Sequence, residues 1–283
     1  MMTMTIHPTA LVAEGAKLAK GVSIGAYSLL GPHVVLGENV KIHSHVIIEG
    51  HTTIGSGTEV FPFAVIGCDP QNRHYKGEPS TIDIGEGCIL REHVTIHLGT
   101  ERGGMKTTVG NFCNIMVASH IAHDCHVGHH VTMANNATLG GHVSVGDYAT
   151  IGGLAAIHQF VRIGPYAMIS GTAGVKEDIM PFGTVVTLRG KLGGLNIIGM
   201  KRHGIERQDI HDLRNAYKLL AKDQSGTLET RLQKIQALYG HSQTVKELLE
   251  FIEKDPKKPL CLPAEAWEFD PDIPEDSTRA LNV

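Results

Sequence analysis

The stretch Val131–Gly153 reads VTMANNATLGGHVSVGDYATIGG. Its apolar residues Met133, Leu139, Val145 and Ile151 recur at every sixth position. The spacing continues outward in both directions. Val109, Ile115, Ile121 and Val127 carry it before this stretch, and Ile157, Ile163, Ile169 and Val175 carry it after. One residue out of phase, an earlier series runs through Ile6, Val12, Leu18, Ile24, Leu30, Leu36, Ile42, Ile48, Ile54, Val60 and Ile66. It resumes at Ile84, Leu90 and Ile96. Roughly 26 hexapeptides keep the rhythm, a persistence that marks a repeat architecture.

Call the aliphatic position i. Glycine is frequent at i+1, as at Gly25, Gly31, Gly110, Gly128 and Gly146. Small or β-branched residues stand at i+4, as at Val34, Val46, Ala137 and Val143. Residues two apart on a strand share a face. The i+4 residue and the next aliphatic residue therefore point inward, and the residue between them points out. Glycine at i+1 is read as easing the corner that follows. One short strand and one corner per hexapeptide build a three-sided coil of about 18 residues, and stacked coils form a parallel β-helix. At about 4.8 Å per coil, eight or nine coils make a prism on the order of 40 Å tall. The spacing does not fix its handedness.

This reading gives an all-β solenoid plus α class. The solenoid spans 1–186 and is interrupted by polar insertions at 72–83 (NRHYKGEPSTID) and 102–108 (RGGMKTT). Insertions in a solenoid emerge on its surface, where function concentrates. A helical domain is expected over 187–255. Ile210, Leu213, Tyr217 and Leu220 have helical spacing. So do Leu228, Leu232, Ile235 and Leu238, between a Thr227 start and a Gly240 stop. Val245, Leu248, Leu249 and Ile252 form a third helix before Pro256. The tail 256–283 is proline-rich and acidic and is read as extended or disordered unless Trp267 docks.

The formal charge of −4 argues against a general nucleic-acid binder. MMTMTIHPTA lacks the basic and apolar regions of a signal peptide. No run of about 18 apolar residues is present to span a bilayer. A cytoplasmic protein without stable membrane insertion is expected. No CxxC pair occurs, so neither a disulfide framework nor a cysteine zinc site is indicated. Cys88, Cys113 and Cys125 fall at i+4 and so face inward, where a thiol is inert. That argues against an acyl-cysteine intermediate at Cys125.

The chemistry concentrates in SHIAHDCHVGHHV, Ser119–Val131, which holds five histidines. His120 and His126 lie at i+5 and face out, His123 lies at i+2, and His142 lies at i+3. His97 and His158 occupy the i+1 position where glycine is usual. His129 and His130 are read as solvated. A histidine can bind metal or move a proton. His120, His123 and His126 are three apart and do not naturally converge on one ion, and no H-E-x-x-H pattern occurs. Proton transfer needs a partner that fixes the tautomer. Asp124 is adjacent, but neighbours on a straight strand point to opposite faces. Only a bend in the chain would bring it to His123.

IHPTALV, HIAHDC, NNATLGGHVSVGD, IGGLAAIHQFVRIG and LNIIGMKRHG followed by LRNAYKLL resemble the UDP-N-acetylglucosamine O-acyltransferases, within the hexapeptide-repeat acyltransferases. The resemblance covers about residues 1–255. It implies a left-handed parallel β-helix of hexapeptide repeats with a C-terminal helical domain, a homotrimer, and active sites in clefts between subunits. It implies transfer of a 3-hydroxyacyl group from acyl carrier protein to the sugar 3-hydroxyl, the first step of lipid A biosynthesis. No metal, cofactor or covalent intermediate is implied; the carrier's phosphopantetheine arm makes it a co-substrate. His123 would be the general base, Asp124 its support, and the Gly141 amide the donor to the thioester oxyanion. His120, His142, His158 and Gln159 would contact sugar nucleotide or acyl chain. His97, Asn196 and Arg202 would hold the uridine diphosphate end or the phosphopantetheine. Gly171 falls where the family sets acyl length.

The family loop PQDLKY is PQNRHY here, Pro70 to Tyr75. Asn72 and His74 replace the usual aspartate and lysine beside Gln71 in a loop that touches sugar nucleotide and acyl chain. The change leaves open a 3-amino UDP-sugar acceptor. A zinc-dependent carbonic anhydrase on the same scaffold is the other alternative. Between Thr187 and Lys222 stand eight Lys or Arg against three acids, a basic surface able to steer an acidic carrier protein.

Overall fold

A computed structural model describes residues 4–186, 188, 190–222 and 226–262. The described chain forms 28 strands, most of two residues, arranged in three sheets of 11, nine and eight strands. Up to Gly183–Val185, neighbouring strands of each sheet pair in parallel, one coil apart. Lys17 pairs with Val35, Leu29 with Ile47, and Lys41 with Glu59. Consecutive hexapeptides therefore occupy consecutive faces of a left-handed parallel β-helix. The first sheet runs from Thr5–Ile6 to Leu192–Leu195, the second from Leu11–Val12 to Gly174–Val175, and the third from Lys17–Leu18 to Arg162–Ile163.

The interior is a column of the i and i+4 side chains. Val34, Val46, Ile48, Ile66, Ile115, Val131, Ala137, Leu139 and Ile151 are fully buried. Each such branched side chain contributes about 1.5–3 kcal/mol on leaving water. Cys88, Cys113 and Cys125 are buried among them.

The corners differ from the expectation for glycine. Left-handed backbone falls at i+3, and most of its residues are not glycine: Tyr27, His45, Phe63, Phe112, Asp124, Asn136, His142, Tyr148 and Phe160 all have φ between 56 and 67°. Such a conformation costs an L-residue about 1–2 kcal/mol. Stacking offsets part of it. Phe112, His130, Tyr148, Tyr166 and Phe182 form a ladder up one corner, with ring centroids 4.7–5.2 Å apart. An aromatic pair contributes about 0.5–1.5 kcal/mol. Glycine at i+1 answers a different need, close approach of coils. A Cβ at Gly110 would lie 2.5 Å from the carbonyl carbon of Gly128, and one at Gly146 would meet Pro165.

The two insertions sit a few residues earlier than 72–83 and 102–108. Thr81–Ile84 and Lys106–Val109 are strands of the third sheet, paired with each other. The irregular segments are 69–80 and 98–105, and both leave the corner between the second and third sheets. Their lengths appear in the register: the 18-residue offset becomes 30 at Glu59↔Ile89 and 25 at Ile89↔Asn114.

The sheet also continues past 186. Gly183–Val185 pairs antiparallel with Leu192–Leu195, which the period did not signal. Four helices follow: α1 Ile197–Arg202, α2 Arg207–Lys222, α3 Leu228–Tyr239 and α4 Gln243–Glu253. The short α1 had no periodic signature. The Thr227 side chain accepts the Thr230 amide and opens α3, and Gly240 closes it. Leu213, Tyr217 and Leu220 of α2 and Val245, Leu248, Leu249 and Ile252 of α4 are buried. The Tyr217 hydroxyl donates to the Pro181 carbonyl, tying the helices to the top of the prism. Arg162 bridges further, pairing with Asp178 at 2.6 Å and donating to the Phe251 carbonyl. Residues 259–261 return to this edge: the Cys261 amide donates to Asp178, and the Asp178 amide donates to Pro259. So the start of the segment read as extended or disordered is docked; Trp267 and the rest of 263–283 lie outside the described residues.

The two glycine readings differ in a measurable way. Gly110→Val should overpack the coil contact and cost at least about 1–3 kcal/mol. Asn136→Gly at a left-handed corner should change stability by less than about 1 kcal/mol. Thermal unfolding of both variants beside the parent checks the pair.

Candidate active site

His123 and Asp124 form the corner between His120–Ile121 of the second sheet and His126–Val127 of the third. Asp124 takes the left-handed position, φ 59°. That turn supplies the bend a straight strand lacks. His123 Nδ1 lies 2.7 Å from Asp124 Oδ2. The carboxylate is 2% exposed, yet it is fully partnered. Thr100 donates its amide to Oδ1 at 2.7 Å and its hydroxyl to Oδ2 at 2.6 Å. The Asp124 amide donates to the Thr107 hydroxyl. Burial pushes this carboxyl up, but the hydrogen bonds from His123 and Thr100 outweigh it and hold the group below the usual carboxylate range.

One coil above, Gly141 and His142 form the equivalent corner. A Cβ on Gly141 would lie 2.6 Å from His123 Cε1 and 2.8 Å from Nε2. Glycine there makes room for the imidazole and puts the Gly141 main chain beside Nε2. Among the described residues no acceptor pairs with the Gly141 amide. His142 stacks on Phe160 of the next coil at 4.4 Å and meets His123 edge-on at 5.0 Å. Its Nδ1 is 3.8 Å from Asp124 Oδ2. Burial lowers the His142 pKa although Asp124 opposes the shift.

One coil below, at the foot of the same corner, His97 ends the strand Thr95–His97. It is 8% exposed, and its Nδ1 is a buried atom without a hydrogen-bond partner among the described residues. Burial, with His120 and His123 adding to it, pushes its pKa down to about 4. His120 meets it edge-on at 4.8 Å and pairs its own Nδ1 with the Thr95 hydroxyl at 2.7 Å. His120 faces out from the second sheet as expected, yet its neighbours leave it half-buried, and burial lowers its pKa. His126 faces out from the third sheet, where its Nδ1 pairs with the Thr108 hydroxyl at 3.0 Å. Cys125 is fully buried and its thiol is pushed up to about 12 by burial.

The other sequence candidates are more dispersed. Gln71, Asn72 and His74 lie in the first insertion, where Asn72 Oδ1 accepts the His74 amide. Asn72, His74, Lys76, Glu78, Thr100, Glu101 and Arg102 line a cleft of about 90 Å³ between the two insertions. His158 and Gln159 are exposed one coil above Gly141. Gly171 lies at the corner between first and second sheets, not at that of His123. Asn196 caps α1 and donates to the Tyr166 carbonyl, and Arg202 ends α1, exposed. A single chain does not bring Gly171, Asn196 or Arg202 to the dyad. Sequence reasoning passed over Thr95, Thr100, Thr107 and Phe160. Thr100 lies in TIHLGT beside His97, but a threonine in a polar loop carries no periodic signal.

As a metal site the arrangement is limited. Among the described residues one group of His, Cys or acids has ligand atoms within 4.8 Å of one another: His123, Asp124 and His142. It is not the His120, His123 and His126 set. An ion held through His123 Nδ1 would have to displace its 2.7 Å bond to Asp124. No described helix is long and apolar enough to cross a membrane.

The family model for domain 2 of UDP N-acetylglucosamine O-acyltransferase matches residues 178–261. An acyl-[acyl-carrier-protein]–UDP-N-acetylglucosamine O-acyltransferase from Bartonella tribocorum is 50% identical over 91% of this chain and 95% of its own length. That from Bartonella henselae is 45% identical over 91% and 94%. Two solved structures agree over 92% of this chain. The Francisella novicida UDP-N-acetylglucosamine acyltransferase has 31% identity, 95% of its chain covered and a TM-score of 0.88. LpxA from Acinetobacter baumannii has 36% identity, 99% covered and a TM-score of 0.87.

His97 carries a stability consequence. Its folded pKa, about 4, lies below the ordinary histidine value near 6.5, so the unfolded chain binds the proton more readily. Its contribution is complete above about pH 6.5 and is lost as pH falls toward 4. Thermal unfolding of His97→Gln should show a shallower decline over that window, by an amount on the order of 1–2 kcal/mol after solvent screening.

Proposed function

This chain belongs to the acyl-[acyl-carrier-protein]–UDP-N-acetylglucosamine O-acyltransferase family, and from that premise we propose how its residues carry out the transfer. The enzyme moves an acyl group from acyl carrier protein to UDP-N-acetylglucosamine, in the lipid A pathway. The observation that carries the mechanism is the 2.7 Å contact between His123 Nδ1 and Asp124 Oδ2. It places the Nδ1 proton toward the carboxylate and leaves Nε2 as the acceptor. Nε2 takes the proton from the sugar 3-hydroxyl as that oxygen attacks the thioester carbonyl. The C–O bond forms, and the carbonyl oxygen gains negative charge beside the Gly141 amide. A fixed donor already aimed at that position stabilises the charge without reorganisation. The C–S bond then breaks, and the phosphopantetheine thiolate takes the proton back from His123. The products are the sugar ester and the free carrier thiol. No acyl-enzyme forms, in keeping with the inert Cys125.

His97 offers a buried, unpartnered Nδ1 to a polar group of a substrate. His142, braced on Phe160, lines the approach to the dyad with His120, His158 and Gln159. Gln71, Asn72 and His74 close it from the first insertion. Gly171, Asn196 and Arg202 stand too far around the prism to join the same chain's dyad. A homotrimer would bring a neighbour's set against it, with Gly171 at the acyl end and Asn196 and Arg202 at the nucleotide or phosphopantetheine end. The exposed Lys201 and Arg202 suit an acidic carrier protein. A carrier-protein donor fits a cytoplasmic reaction.

His123→Ala should lower kcat by about 10²- to 10⁴-fold with an unchanged fold and little change in substrate KM. Steady-state turnover with acyl carrier protein and UDP-N-acetylglucosamine measures it. Full activity of that variant would remove His123 from the proton-transfer role.

A further inference from the structure

We propose that Thr100 is a positioning residue: through the second insertion it aligns the Asp124 carboxylate and keeps it ionised for His123. The inference rests on the reading of His123 as base. Three separate observations support it. Thr100 supplies two donors, its amide to Oδ1 and its hydroxyl to Oδ2, so both carboxylate oxygens are fixed by one residue. The hydroxyl shares Oδ2 with His123 Nδ1, so its donation sets which way that oxygen's remaining lone pair faces the ring. Gly103, in the same insertion, packs so closely that a Cβ there would land on the Asp124 carboxylate.

The insertion is itself tethered. The Glu101 amide donates to Glu78 Oε1, and the Lys76 amide donates to Oε2, so the first insertion braces the second. The Gly103 and Met105 amides both donate to the Thr100 carbonyl, closing the segment into a compact turn over the corner. No such device guards the corners one and two coils above, where the chain turns in two residues. The loop 98–105 stands directly beneath the corner that, among the described residues, holds an acid at its left-handed position next to a histidine. The carboxylate is buried, and a buried charge is tolerable only when its hydrogen bonds are complete. Thr100 completes them without adding a competing charge.

Thr100→Val keeps the shape and removes the hydroxyl. It should lower kcat about 10-fold, with KM for sugar nucleotide and acyl carrier protein within about two-fold. The acid limb of its kcat–pH profile should move to higher pH, because Asp124 with one donor fewer is ionised over a narrower range. Thr100→Ser should restore both. Gly103→Ala, which leaves the hydroxyl but crowds the carboxylate, should lower kcat similarly, and it carries the test if Thr100→Val does not fold. Wild-type kcat and pH profile in Thr100→Val, a loss confined to KM, or a kcat loss that serine does not restore would each overturn the proposal. His123→Ala in the same assay separates the two levels. If it is inactive while Thr100→Val is normal, only the role of Thr100 falls; if it is fully active, the base assignment itself falls.

Discussion

The structure depends on the corner made every sixth residue. Inward aliphatic pairs can line a continuous column only if the chain turns after each short strand, and each turn needs one residue in the left-handed region. In this protein that residue is usually an aromatic, histidine or asparagine rather than glycine. The cost of each corner is small beside the burial of the Ile, Val and Leu side chains it permits. Stacked rings up the corner ladders recover part of that cost.

The same corner produces the site. At Asp124 the left-handed turn swings the carboxylate onto the neighbouring His123, a pairing that a straight strand forbids. One coil up, the missing side chain of Gly141 leaves space for the imidazole and brings the main chain beside Nε2. Both insertions issue from this edge, so the irregular parts of the chain shelter the one corner that carries the dyad. A repeat with uniform geometry becomes reactive where two adjacent corner residues have acid–base side chains and the next corner lacks a Cβ.

Much of this was legible in the sequence. The hexad of Ile, Leu and Val gave the solenoid, its inward faces and the buried cysteines, because a period survives any local irregularity. Thr227, Gly240 and the helical spacings marked α3 and its neighbours. The corner chemistry was less legible. Glycine at i+1 suggests a turn residue, but its hydrogen makes way for the next coil, a contact 18 residues away that no local rule contains. Asp124 beside His123 reads as a mismatch until the φ of the corner is known. Thr100 is reached only through tertiary hydrogen bonds. The insertion bounds slipped because Thr81 and Asp83 of TIDI and Lys106, Thr107 and Thr108 of KTTV read as polar loop, although both stretches are strands. The strand Leu192–Leu195 and the short α1 lack periodic signal since a glycine pair and six residues are too little to show one.

The central claim is that the bend at Asp124 fixes the proton of His123 on Nδ1 and leaves Nε2 free to accept one. Its most direct measurement is the ¹⁵N NMR tautomer state of His123, assigned by comparison with His123→Ala, at a pH where the ring is neutral. The account predicts a protonated Nδ1, coupled across the bond to Asp124, and a bare Nε2 that responds to bound UDP-N-acetylglucosamine. A proton resident on Nε2, or a ring nitrogen carrying a zinc ion in the active protein, would contradict it.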